Sequence, residues 1–357
     1  MHKDDKMTPK ERAAALKEGK AVDRLPIGML YGLPAAALMG WSRSYGDSTP
    51  RRRADCTKKV YEVFGTDGVG SGYGLHGVGI CYGAKMSDPE YSAPAVLEHP
   101  VKSVADIVKL DIGRLTVQND RGARECMEIA EILNDELGDE VPCRFMLPGA
   151  FTSISSLVGV ETLLRALAHD PDSLHLAMEF VTNGLLQLAR SFLEAGFPIS
   201  IADPVASGSV IPKRQFDAFV APYNTRFVEE CNSIRPFGVT CHICGNTTKI
   251  LESIAACGYM SVDVDNTVDL EYAKNHIGNT VRISGNVNPA GNLFFGEPEQ
   301  VEEEVKKCFR IAWDSPCGYT VSTGCDTAWG TPIENSLAFM RAARKCAQYP
   351  IDPQNFR

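Results

Sequence analysis

No stretch of this 357-residue chain reaches the roughly 18 consecutive apolar residues that a membrane span requires. The first residues, Met1 to Lys6 (MHKDDK), carry no apolar core, so no secretory signal is expected. Positive charge is in deficit: 36 Lys and Arg stand against 45 Asp and Glu, a net charge of −9. That balance argues against a general role on nucleic acid or on a membrane surface. The one basic cluster, Arg51-Arg52-Arg53, follows Pro50 and reads as a solvated helix start. A phosphate-binding strand–GxGxxG–helix unit is also missing. The glycines at 68, 70, 72, 74, 77 and 79 read instead as a strand and a wide loop beside a pocket.

Cysteine, by contrast, is plentiful. Twelve cysteines without a leader point to reduced thiols in the cytoplasm. Cys126, Cys231, Cys257, Cys308 and Cys346 fall inside helical patterns, where they serve as small buried hydrophobes.

The chain opens with a helix signature over residues 8–19: Thr8 as N-cap, Pro9 at the first position, Glu11 three residues on and Gly19 as the stop. Residues 34–64 read as mainly helical with interruptions. From residue 143 short β-branched runs alternate with helical patterns. Strands are expected at 143–147, 199–202, 239–243, 260–264, 281–284 and 319–322, and two more near 25–31 and 66–72 complete eight. Helices are expected at 160–168, 172–195, 213–234, 247–257, 268–276, 297–312 and 332–346. Alternation of this kind means a parallel sheet, and eight strands fit a closed (β/α)8 TIM barrel. The expected organisation is a single domain over 1–357, with 1–23 as an N-terminal helical extension.

In such a barrel, chemistry gathers at the C-terminal ends of the strands. His242 and Cys244 stand at one such end, in Val239–Gly245 (VTCHICG), and Cys325 closes Tyr319–Cys325 (YTVSTGC). Alternate strand residues share a face, so His242 and Cys244 point the same way and Cys241 points out toward the helices. One imidazole and two thiolates fill three corners of a zinc tetrahedron and leave the fourth open. A disulfide between Cys244 and Cys325 is a poor rival in a reducing compartment.

The other strand ends supply further candidates. Asp203, followed by Pro204, is expected either to orient substrate and pass a proton or to cap a loop. Met29, Tyr31, Phe151, Ser207, Asn286 and Trp329 are expected to bind substrate, with Tyr31, Phe151 and Trp329 making an apolar pocket. Asn246 and Asn286 suit the orienting of a ligand or of a metal-bound His. His76 is a weaker candidate, more simply read as a solvent-facing His.

Residues 238–346 resemble the zinc-dependent corrinoid methyltransferases of the uroporphyrinogen decarboxylase superfamily, the kind that includes methylcobamide:coenzyme M methyltransferase. The resemblance rests on His242–Asn246, Ser284–Val287, Ser322–Cys325 with Thr331–Asn335, and Ile201–Ser207, and extends loosely along the whole chain. It implies zinc held at the positions of His242, Cys244 and Cys325. It also implies methylcobalamin or cob(I)alamin carried by a separate corrinoid protein that docks over the barrel mouth, at loops including 68–83 and 326–330. The expected reaction moves a methyl group between that corrinoid and a small substrate, a thiol acceptor such as a coenzyme M-like thiol. A methyl-ether donor is the alternative, favoured by the apolar pocket. Uroporphyrinogen decarboxylation fits less well, because the turn from Tyr31 to Ala35 carries no Arg to meet a porphyrinogen's carboxylates. A corrinoid-protein chaperone with structural zinc would need a fourth protein ligand, for which Cys241 and Cys317 are the candidates.

Overall fold

A computed structural model describes residues 2–357. Seven parallel strands form one sheet in chain order: β1 (Val69–Gly72), β2 (Cys143–Pro148), β3 (Ile199–Ala202), β4 (Thr240–His242), β5 (Ser261–Asp263), β6 (Arg282–Val287) and β7 (Tyr319–Thr323). Each pairs in parallel with the next. The eighth stave is the expected 25–31 segment, but it is not a regular strand. Ile27 bridges Val321 in parallel, the Gly28 N–H donates to the Val321 carbonyl at 2.8 Å, and the Asp67 N–H donates to the Ile27 carbonyl at 3.1 Å. That segment joins β7 to β1 and closes the TIM barrel. Pro26 within it has no N–H to give a ladder, which accounts for the sparse pairing.

Long helices pack outside the strands. The Pro9–Lys17 helix keeps the expected capping box between Thr8 and Glu11. Thr49 caps Pro50–Phe64, so the Arg51–Arg53 run is indeed a helix start. The expected 213–234 helix is two: Lys213–Phe219 and Ala221–Ile234. Pro222, lacking an N–H, cannot continue the first one. Arg121–Leu137, whose buried stripe is Ala123, Cys126, Ile129, Ala130, Leu133 and Leu137, and the wholly buried Ala150–Val158 were not anticipated. Nor was the short helix Gly77–Cys81 inside the glycine-rich loop. Among the described residues no single helix is long and apolar enough to cross a membrane.

The outward strand residues make the core with these helices. Phe145 stacks on Phe192 of the Pro171–Glu194 helix, and Leu147, Ile199, Ile201, Cys241, Ile283 and Val321 are all at most 4% exposed. Cys241 therefore faces the helices, as the alternation requires. The inward residues behave differently. Gly70, Gly72, Arg144, Met146, Ser200, Ala202, Thr240, His242 and Thr320 are each only half-buried. Barrel interiors are ordinarily filled with bulky aliphatics. Here the inward face mixes small residues with Arg144, Met146 and His242.

At the floor of the barrel, around the N-terminal ends of its strands, lies an ion network. Arg12 pairs with Asp23 (2.7 Å) and Asp67, and Arg24 pairs with Asp5 (2.8 Å) and Asp67 (2.5 Å). Asp67 also accepts the Ile27 N–H at 2.7 Å. Arg344, from the last long helix, donates to the Phe64 and Gly65 carbonyls.

Candidate metal centre

The three ligand atoms proposed from sequence converge. His242 Nε2 lies 3.0 Å from Cys244 Sγ and 3.7 Å from Cys325 Sγ, and the two sulfurs are 3.3 Å apart. Donors bound at about 2.0–2.3 Å to one tetrahedral ion stand about 3.3–3.8 Å from each other. The spacing observed in the protein alone is close to that. The sulfurs are well beyond the ~2.05 Å of a disulfide, and all twelve cysteines are free. No other group of three His, Cys, Asp or Glu side chains is drawn together in this way among the described residues. A fourth protein ligand is accordingly missing from the set. Cys241 points into the core and Cys317 is exposed elsewhere.

Two glycines make the convergence possible. Gly245 follows Cys244 with φ +79°, and a Cβ there would stand 2.9 and 3.0 Å from the hydroxyls of Ser209 and Ser207. Gly324 precedes Cys325, where a Cβ would meet the Asn266 backbone nitrogen at 2.4 Å. Only glycine fits either place. Hydrogen bonds then fix the two loops. Asp265 accepts the Gly245 N–H at 2.8 Å through one oxygen, and the Thr267 N–H (2.8 Å) and hydroxyl (2.7 Å) through the other. Ser209 Oγ accepts the Asn246 N–H at 2.9 Å, and Ser207 Oγ accepts the Ser209 N–H at 3.2 Å. Beside Cys325, Asp326 accepts the N–H groups of Gly32 (2.9 Å) and Leu33 (3.2 Å), tying the end of the first stave to the metal loop.

The electrostatics single out one thiolate. The hydrogen bond from Cys244 draws the Cys325 thiol down, against burial and with help from His242. The same contact pushes the Cys244 thiol up. His242 Nδ1 is buried without a partner, leaving Nε2 as the nitrogen aimed at the sulfurs. Soft donors, convergence and an open fourth side all fit zinc.

Asp203 sits just beneath this cluster. Its N–H donates to the His242 carbonyl at 3.0 Å. Its carboxylate is wholly buried, with Oδ1 accepting the Thr152 N–H (2.9 Å) and hydroxyl (2.6 Å) and Oδ2 unpartnered. Burial pushes it up to about 6. A Cβ at Gly149 would lie 2.2 Å from this carboxyl, so Gly149 makes its room. Asp203 thereby ties the end of β3 to the first turn of the Ala150–Val158 helix through Thr152, a contact across the fold and not a cap of its own loop. Thr152, which the sequence reading passed over, is its partner; a hydroxyl two residues into a helix after Pro148-Gly149 was the available signal.

The proposed substrate residues are not brought together. Tyr31 packs on Phe64 (4.8 Å between ring centroids), Phe151 is fully buried, and Trp329 pairs with Tyr91 (5.4 Å) on the rim. Met29 is 8% exposed and belongs to the core. Ser207 is 2% exposed and acts through Ser209, while Asn286 gives its amide to the Asp265 (3.1 Å) and Val268 (2.8 Å) carbonyls. No single aromatic pocket forms from Tyr31, Phe151 and Trp329. His76 is half-buried, not solvent-facing, with Nδ1 unpartnered and its pKa lowered by burial. Asp265 and Asp326 stand at strand ends, where the sequence gives them no role, and Ser209 lies outside those positions; all three support the two loops. Nothing in a strand-end Asp distinguishes a loop tie from a ligand until the neighbouring turn is seen.

Comparison with known proteins decides the family. The description "Uroporphyrinogen decarboxylase (URO-D)" matches over residues 8–346. The chain belongs to the uroporphyrinogen decarboxylase family. It is 28% identical to the methylated-thiol–coenzyme M methyltransferase of Methanosarcina mazei, across 97% of this chain and 90% of that one. It is 26% identical to the methylcobamide:CoM methyltransferase MtaA of Methanosarcina barkeri, across 94% and 97%. A uroporphyrinogen decarboxylase of Pseudoalteromonas atlantica is 27% identical over 70% of this chain and 71% of its own. The solved structure of a methyltransferase from Methanosarcina mazei superposes with a TM-score of 0.80 at 26% identity, covering 95% of this chain and 98% of that one. Both chemistries thus occur among the relatives, and the site has to choose between them.

Proposed function

We propose that this protein is a zinc-dependent methyltransferase that moves a methyl group from a corrinoid, carried by a separate protein, to a small thiol. The observation that carries this is the convergence of His242 Nε2, Cys244 Sγ and Cys325 Sγ at one barrel rim. A decarboxylase has no use for two converging thiols, whereas a thiol methylation does. The absence of a common aromatic pocket removes the feature that favoured a methyl-ether donor. Zinc held by these three residues would supply an open position at which a thiol is stabilised as thiolate at neutral pH. The protein's own part is to hold two anionic sulfurs beside that position, which keeps a bound thiolate electron-rich. Asp265, Ser209 and Asp326 fix the loops so that little reorganisation accompanies binding. Asp203, on this reading, sets the height of the Ala150–Val158 helix beneath His242; a part in proton movement is tested below.

A corrinoid is large and planar, and the rim carries exposed apolar side chains suited to a carrier: Tyr91 beside Trp329, and Ile80 in the glycine-rich loop. Twelve free thiols fit a reducing compartment such as the cytoplasm. The deciding experiment mixes zinc-loaded protein with methylated corrinoid protein and a panel of thiols, following the cobalt spectrum. Demethylation that requires both thiol and zinc supports the reading. Demethylation by none of the thiols, with the metal site filled, overturns it.

A further inference from the structure

His242 has a second nitrogen, and the fold leaves it unsatisfied. With Nε2 aimed at Cys244 and Cys325, Nδ1 is buried and has no hydrogen-bond partner. A metal-ligating imidazole is neutral, so its other nitrogen carries the proton and ordinarily donates it to a carboxylate, a carbonyl or a water. A buried N–H with no acceptor would lose a hydrogen bond it had in water. The strands on either side of β4 offer two neighbours. Register partners on parallel strands about 4.8 Å apart present their side chains to the same face. On β3 the partner of His242 is Ala202, whose methyl group accepts nothing. On β5 it is Asp263. Val262, 3% exposed, turns outward beside Cys241, so Asp263 turns inward beside His242.

Two further observations single out this carboxylate. Asp263 makes no side-chain hydrogen bond and no ion pair among the described residues. Asp265, the other acid near His242, has both oxygens committed to Gly245 and Thr267. Burial would lower the proton affinity of His242, but the Cys325 sulfur, then the charge of Asp263 and, behind it, that of Asp265 raise it. We propose that Asp263 is a positioning residue of the metal centre: its carboxylate accepts the Nδ1–H of His242 and so fixes the tautomer and the ring plane that present Nε2 to a soft ion. Asp263 acts through His242 and is not itself a ligand. The inference rests on the metal reading of His242, Cys244 and Cys325, and not on the identity of the methyl acceptor.

The test measures zinc affinity by competition with a chelating dye in the wild type, Asp263→Asn and Asp263→Ala. Asp263→Ala should weaken zinc by about ten- to a hundredfold, and Asp263→Asn, whose side-chain carbonyl can still accept the Nδ1–H but carries no charge, by less. The melting temperature of the metal-free protein should be unchanged in both, because Asp263 has no partner within the chain. Nuclear magnetic resonance of zinc-loaded, histidine-labelled protein supplies a readout that a merely structural residue would not move. The His242 Nδ1–H, assigned by its loss in His242→Gln, should give a downfield, slowly exchanging proton signal in the wild type. In Asp263→Ala that signal should move upfield or exchange away. Zinc affinity in Asp263→Ala equal to that of the wild type, or an Nδ1–H signal that does not change, overturns the proposal. A loss of metal-free stability that accounts for the loss of zinc overturns it as well. Wild-type zinc binding that ignores Asp263 removes this inference alone and leaves the metal reading standing, whereas a wild type that binds no zinc overturns the metal reading and this inference together. If Asp263→Ala does not fold, a weakened affinity and a shifted signal in Asp263→Asn support the proposal, and their absence overturns it.

Discussion

The two ends of this barrel solve opposite electrostatic problems. At the floor, Arg12 and Arg24 are buried against Asp5, Asp23 and Asp67, so that every charge has a partner and the N-terminal segment is stitched to the first stave. At the rim, His242, Cys244 and Cys325 crowd three donors together, and Asp203 lies buried with one oxygen unpartnered. The floor satisfies its charges internally; the rim gathers donor atoms that could hold a metal ion. Stability and function are thereby placed at opposite ends of the same strands, as the fold favours.

The strongest way to break this comparison is at the rim. Cys325→Ser should lower zinc affinity at least a hundredfold and turnover by about three orders of magnitude, since an alkoxide replaces a soft thiolate poorly. Thermal stability without metal should stay within a few degrees of wild type. Competition with a chelating dye, together with calorimetric scanning, reads both. The converse change is Arg12→Met, which strands the floor carboxylates. It should cost about 3–5 kcal/mol in denaturant unfolding while folded protein keeps its full zinc content. Loss of metal in the folded fraction would show that the two ends are coupled.

The pH response should also run in opposite directions. Burial alone would raise Asp23 and Asp5, but the Arg12 and Arg24 hydrogen bonds hold both below the ordinary 3.8. Their contribution is present above about pH 4 and lost as pH falls further. Asp203 is pushed up to about 6 by burial, so the fold favours its protonated form. That contribution is full below about pH 4 and is lost as pH rises through about 6, a change of about 3 kcal/mol at most. Asp203→Asn should flatten the fall in stability between pH 4 and 6 and leave the acid-side loss untouched, in denaturant titrations at several pH values. Turnover of this variant within a few-fold of wild type would leave Asp203 the tethering role alone, whereas a drop of about a hundredfold would show that it moves a proton.

Smaller effects refine the rim. Asp265→Ala frees the Gly245 N–H and should weaken zinc by about ten- to a hundredfold with the fold retained. Metal affinity unchanged by that substitution would make Asp265 a loop tie only. Trp329→Ala should slow methyl transfer from the corrinoid protein several-fold and leave transfer from free methylcobalamin unchanged. Equal slowing with both donors would place Trp329 in the substrate site and not at a docking surface.

Much of the barrel was written in local patterns. The runs at 199–202 and 319–322 became strands within a residue of the expected bounds, because β-branched stretches bounded by turn residues have few other options. The Arg121–Leu137 helix escaped notice although its buried stripe is regular, since it lies before the region where alternation becomes obvious. Tyr31, Phe151 and Trp329 show the limit from the other side. All three stand where a pocket could be lined, yet ring direction depends on neighbours distant in sequence, and Phe64, the helix layer and Tyr91 claimed them first.

What the sequence determined by itself was periodicity and donor chemistry: a parallel barrel, and His242, Cys244 and Cys325 as candidate soft donors on strand ends. A period of two puts His242 and Cys244 on one side whatever the rest of the chain does. Tertiary structure alone decided that Cys325, 81 residues beyond Cys244, would stand 3.3 Å from it. It also decided that Asp203 would tie β3 to the start of a helix and that Arg144 would be left without a partner inside the barrel. Those outcomes depend on barrel closure and on which side chains fill the space, and closure brings together residues that no local pattern relates.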